Sequence, residues 1–146
     1  FFVSAKISAM RSILARSSSA LPASNSPLVP VAPASFVRSY VSREHRDRRA
    51  EGCTMAALGG DAARQPEAVR AIYACGIETL LAALSGGEAP SEEERAELLA
   101  MLAHAVGAVI MSRACPDGSP LADEILTVCR DRILATLDGD GDCAKG

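Results

Sequence analysis

Tryptophan is absent from the 146 residues, and aromatic residues make up only 3%. A core must then be built from Ala, Leu, Val, Ile and Met, a set that favours helices over sheets. There is no CxxC pair, and the five cysteines (Cys53, Cys75, Cys115, Cys129, Cys143) have no clustered His beside them. That spacing offers no zinc site. There is also no secretory signal pattern, so the cysteines read as mostly reduced, small apolar residues in a cytoplasmic protein. A phosphate-binding glycine loop, a nucleophile elbow and a paired acid/base set are all missing. We therefore expect no enzyme activity, no metal and no cofactor. No acid precedes Glu44.

What is present is apolar and unevenly charged. Hydrophobic residues are 49% of the chain, which excludes wholesale disorder, and the length suits one domain with a real core. Residues 1–50 hold eight Lys+Arg against two Asp+Glu, whereas residues 51–146 hold seven against sixteen. An acidic helical body repels a nucleic acid backbone, so direct DNA contact by the body is not expected.

The stretch Ser91 to Cys115 organises the rest. Ser91 and Glu94 have capping-box spacing, and Glu92, Glu93 and Glu94 suit the positive end of a helix dipole. From Leu98 to Met111 the only full polar group is His104. A helix apolar almost all round is buried on almost all sides. Pro116, Asp117 and Gly118 stop it. The run is short and Ala-rich for a membrane span, and starts acidic, so we read it as a central helix and expect no membrane.

In chain order, Phe1 to Arg16 reads as a short helix using Ile7, Met10, Ile13 and Leu14. Ser17 to Ser35, with Pro22, Pro27, Pro30 and Pro33, reads as a linker. The acid-free start, with Lys6, Arg11, Arg16 and many serines, also fits a mitochondrial presequence. Pro33 to Val41 restarts a helix, and the charge run Arg43 to Arg49 reads as a solvated turn. Gly52 to Gln65 reads as a small-residue helix in which Gly59 and Gly60 mark a kink or a close crossing. Pro66 opens an amphipathic helix through Val69, Ile72, Tyr73, Ile77, Leu80, Leu81 and Leu84, ended by Ser85-Gly86-Gly87. Ser119-Pro120 opens the last helix, to about Leu137. Leu121, Ile125, Val128 and Cys129 form one stripe of it, with Leu126, Ile133 and Leu137 near a second.

Several local patterns have plain readings. Asp138, Asp140 and Asp142 imitate the start of a calcium loop, but the twelfth-position Glu is lacking, so the tail reads as a solvated acidic end. His104 has no ligand-spaced partner and reads as a core or pocket histidine. Met55, Met101 and Met111 suit either plain core or a soft cavity. Neither Cys53 nor Cys115 has the flanking cations that favour a thiolate.

Tyr40-Val41-Ser42 followed by His45-Arg46-Asp47, then Gly52-Cys53, Ala56-Ala57-Leu58 and Ala63-Arg64, precede the three longer helices in a familiar order. From Phe36 to about Leu137 the chain resembles the C-terminal domain of TetR-type transcriptional regulators. Thr54 stands where many relatives have Pro. Phe2-Val3-Ser4 with Lys6 resembles the end of that family's DNA-binding head. The resemblance implies an all-α helical bundle that dimerises through a four-helix interface of its last two helices. It also implies a small-molecule cavity between the middle helices, and a repressor relieved by its ligand. DNA would be reached only through a helix-turn-helix head not present in this chain.

These readings set the expectations. Residues 1–35 are a short helix and linker, 36–138 a ligand-sensing and dimerisation domain, and 139–146 a flexible tail. A small hydrophobic or aromatic effector is expected against Phe36, Tyr40, Met55, Leu58, Tyr73, Ile77, Met101, His104 and Ala108. Leu98, Leu102, Val106 and Val109 are expected to face the core. A homodimer is expected through Ala103, Gly107, Ile110 and Ala114, with Leu126, Ile133 and Leu137. The rival reading is a stand-alone helical protein-interaction module, organellar in location if the acid-free start is a presequence.

Overall fold

The computed structural model describes residues 30–48 and 54–139. The expected helix and linker before residue 30, the Gly52-Cys53 match and the aspartate tail beyond Gly139 lie outside them. The described residues form six helices: α1 (Pro33–Tyr40), α2 (Arg43–Asp47), α3 (Thr54–Ala62), α4 (Glu67–Leu84), α5 (Glu92–Ala114) and α6 (Pro120–Gly139). No strand occurs among the described residues. The fold class is all-α.

Each boundary has a local cause. Pro33 opens α1, where its missing N–H costs nothing. At α5 the Glu94 N–H donates to Ser91 Oγ at 3.1 Å, half of the capping box, above a first turn of Glu92, Glu93 and Glu94. Gly86 ends α4 with φ of 79°, and the Gly87 N–H reaches back to the Ala82 carbonyl at 2.9 Å. That is a Schellman closure, and its left-handed residue is a natural place for glycine.

The charge run at Arg43 is a short helix rather than a solvated turn. The His45 N–H donates to Ser42 Oγ at 3.1 Å and starts it. His45 and Arg46 are half-buried, because α2 lies against α5.

Helix α5 packs against all five of the others, and its most extensive partner is α6. Leu98, Met101, Leu102, Ala105, Ala108 and Val109 are its buried residues in the core. They meet Val37 and Tyr40 of α1, Leu81 and Leu84 of α4, and Leu126 and Ile133 of α6 in one hydrophobic cluster. Ser112 is the buried polar residue, and its Oγ donates to the Ala122 carbonyl oxygen at 2.8 Å. That bond ties the last turn of α5 to the first of α6.

Candidate functional site

The side chains expected around an effector do not share one environment. Tyr40, Met101 and Ala108 belong to the buried core, with Phe36, Met55 and Ile77 packed against it. The Tyr73 hydroxyl donates to the Met55 carbonyl at 3.1 Å, joining α4 to α3. His104 is exposed on α5 and is not the core or pocket histidine that its apolar neighbours imply. Its position on the helix, two residues from Leu102 and one from Ala105, turns it away from both. Met111, a second candidate for a soft cavity, is 58% exposed. The Leu58 side chain falls outside the described residues.

An open cleft of about 390 Å³ lies at the corner between α1 and α2, lined by Arg38, Ser39, Tyr40, Ser42, Glu44, His45 and Arg48. Of the expected effector residues, Tyr40 lines it. The Phe36 and Tyr40 rings stack at 4.9 Å, and the Tyr40 and His45 rings meet at 4.3 Å. His45 Nδ1 lies 2.7 Å from the Tyr40 carbonyl oxygen. Since a carbonyl only accepts, the ring carries its proton on Nδ1. Burial lowers the pKa of His45, the bond to Tyr40 opposes this, and the Arg113 charge lowers it further.

Below this corner sits a charge cluster that the sequence concealed. The Arg113 guanidinium donates from Nε to the Arg46 carbonyl at 3.0 Å and from Nη2 to the His45 carbonyl at 2.8 Å. These are last-turn carbonyls of α2, so Arg113 caps that helix from α5. Arg46 Nη1 reaches Asp123 at 2.9 Å and its Nε reaches Asp47 at 2.7 Å. Arg43 also pairs with Asp123. The cluster pins α2 to the α5–α6 turn. The sequence signal for it was weak: an Arg and an Asp 77 residues apart.

The residues expected at a dimer interface divide. On α5, Ala103, Ile110 and Ala114 are exposed and Gly107 is half-buried. On α6, Leu126 is 2% and Ile133 3% exposed, within the chain's own core, and Leu137 packs against that core. Leu121 and Val128, on the other stripe, are 54% and 51% exposed. Both stripes of α6 are apolar, so spacing alone does not select the inward one. The neighbours α1 and α5 select Leu126 and Ile133, which leaves these two no surface for a second copy.

No group of three or more metal-ligating side chains occurs among the described residues. The free thiols there are Cys75, Cys115 and Cys129. No family model, curated protein or solved structure matches the chain.

Proposed function

We propose that the chain is the ligand-sensing and dimerisation body of a TetR-like transcriptional regulator, a repressor relieved by a small apolar ligand. The single observation that carries this reading is the exposed small-residue face of α5. Ala103, Ile110 and Ala114 face outward beside half-buried Gly107, on a helix whose other side anchors the core. Small residues let a second helix approach closely, and Ile110 adds apolar contact. The helix order and the residue matches from Phe36 onward support the same reading. Effector contact falls to the cleft at the aromatic corner, lined by Tyr40 and His45 with Phe36 stacked on Tyr40.

Two exposed residues of α6, on a stripe whose Ile125 and Cys129 pack against the core, enter this reading in a changed role. Leu121 and Val128 take the place of Leu126 and Ile133 as the α6 contribution to a two-fold interface. A second reading, a stand-alone helical interaction module, is favoured by the same exposed apolar residues, which any partner helix could cover.

Native mass spectrometry of the purified full chain tests the proposal. The expected result is a dimer that retains an apolar small molecule. A chain that retains nothing and gains no thermal stability from a panel of aromatic and aliphatic compounds would reject ligand sensing.

A further inference from the structure

Glu92, Ala96, Leu99, Ala103 and Ile110 follow one another at steps of four, three, four and seven and fall on one strip of α5, about 60° of arc. All five are exposed. By length and composition this helix is apolar enough to cross a membrane, with mean hydropathy 1.4, yet only 39% of that apolar window is buried. Between Glu97 and Arg113 it carries no acid and no Lys or Arg. One end of the strip is strongly acidic. Glu92, Glu93, Glu94 and Glu97 are exposed there, and Glu88 lies in the preceding turn. The cation of that turn, Arg95, is already engaged by Glu78 through bonds of 2.9 and 2.6 Å.

The chain enters the domain beside this acidic end. The Val31 N–H donates to the Ala83 carbonyl at 3.1 Å, in the last turn of α4. The Glu78–Arg95 pair clamps the later turns of α4 to the first turns of α5. Ahead of that entry point lie residues 1–29, with Lys6, Arg11 and Arg16 and no acid, and with Ile7, Met10, Ile13 and Leu14 at helical spacing. Thirteen residues of linker, 17–29, span about 43 Å when extended. From Glu92 to Ile110 the strip is about 27 Å long. Reach is therefore sufficient for the segment to lie along it.

We propose that residues 1–16 dock in cis on the Leu99–Ala103–Ile110 strip, their cations toward the glutamates of the α5 start. The segment then competes with a second copy of the chain for that strip, a regulatory role that rests on the homodimer reading. Charge complementarity selects this occupant. An anionic membrane surface meets the same glutamates with the wrong sign. Tethering raises the segment's effective concentration to the millimolar range, above that of an untethered partner.

Zero-length carbodiimide cross-linking of the full chain tests this, because Lys6 is one of only two lysines, with Lys145. Mixing isotope-labelled and unlabelled chains separates cross-links within a chain from those between chains. The expected result is an intrachain bond from Lys6 to Glu92, Glu93, Glu94 or Glu97. It should be lost in an Arg11→Glu/Arg16→Glu variant, whose dimer should tighten by about three- to tenfold in sedimentation equilibrium. No intrachain Lys6 bond beyond that of the denatured chain overturns the docking, whether the chain then dimerises or binds vesicles of phosphatidylcholine and phosphatidylglycerol. An intrachain bond that persists in the double variant overturns the charge-guided docking. If both chains stay monomeric while the wild-type bond forms and the variant loses it, the docking stands. The homodimer reading and the competition then fall.

Discussion

Two adjacent glycines in α3 behave differently for a reason visible only in three dimensions. A Cβ on Gly59 would lie 3.0 Å from the Tyr73 hydroxyl, while one on Gly60 would meet nothing within 4 Å. Gly60→Ala should therefore stabilise the fold by about 0.5–1 kcal/mol, through helix propensity and a less entropic unfolded chain. Gly59→Ala should gain nothing, because the Tyr73 hydroxyl, bonded to the Met55 carbonyl, must shift by a few tenths of an ångström to make room. In a Tyr73→Phe background that penalty should vanish, and a double-mutant cycle in urea checks the coupling. His45 offers a second residue-scale test. Its pKa is lowered in the fold from an ordinary value of 6.5, first by burial. The unfolded chain then binds the proton more readily than the folded one. The stability from neutral His45 is complete above 6.5 and is lost as pH falls below it toward the lowered folded value. Urea midpoints from pH 7.5 down to 5 should fall for wild type, and less steeply for His45→Asn, whose amide can still donate to the Tyr40 carbonyl. Equal slopes for the two proteins would remove His45 from the account.

At the scale of elements, the helices whose ends carry punctuation were legible in advance. Ser91 with Glu94, Pro66, Ser85-Gly86-Gly87 and Pro116-Asp117-Gly118 all mark real boundaries, because caps and breakers act through backbone groups a few residues away. The inward side of α5 was legible too. Leu98, Leu102 and Val109 are buried and Val106 is half-buried, but the helix is not buried on almost all sides: Leu99, Ala103, Ile110 and Met111 are exposed. Helix α2 was not legible, because the partners that hold His45 and Arg46 half-buried, Arg113 and Asp123, are distant in sequence, while Arg43, Glu44 and Asp47 stay exposed. The stripe of α6 expected at the interface, Leu126 and Ile133, is the inward one, for the same reason: both stripes are apolar, and the choice is made by α1 and α5. The side chains expected around an effector do not gather in one place, and His104 and Met111 show that an apolar run does not tell which member faces out. The Arg113 cap gives a test at this scale. Arg113→Met keeps the apolar stem but removes both bonds to the α2 carbonyls. It should cost about 1–2 kcal/mol, discounted for a half-exposed site, and should accelerate hydrogen exchange in residues 43–47 more than in α4. Uniform exchange across the chain would show that α2 is not held by Arg113.

The whole molecule pairs a well-buried core on one side of α5 with exposed apolar residues on the other, and the two sides call for different outcomes on truncation. Leu126→Ala should cost about 2–5 kcal/mol at any protein concentration, since its side chain is 2% exposed within a single chain. Ile110→Ala, at 41% exposure, should leave monomer stability within about 0.5 kcal/mol and act only where chains associate. Fluorescence anisotropy with duplex DNA should detect no sequence-selective binding by this chain, whose described body offers no recognition helix over an acidic surface. The decisive position is Gly107. A Cβ there meets nothing within 4 Å in the isolated chain, so the Gly107→Arg side chain leaves the helix without a clash and the monomer should fold normally. In a two-fold pairing of α5 helices the same side chain would enter a close crossing and bring a charge into apolar surroundings. Loss of self-association by a variant with unchanged circular dichroism and unfolding midpoint would then report the interface and not the fold. Sedimentation equilibrium at roughly 50 µM, well above a micromolar Kd of about −8.2 kcal/mol, is the measurement. We expect a wild-type dimer and a Gly107→Arg monomer. A wild-type chain that stays monomeric there while its Arg11→Glu/Arg16→Glu form is monomeric too, or a Gly107→Arg chain that dimerises as tightly as wild type, would sink the interface on α5.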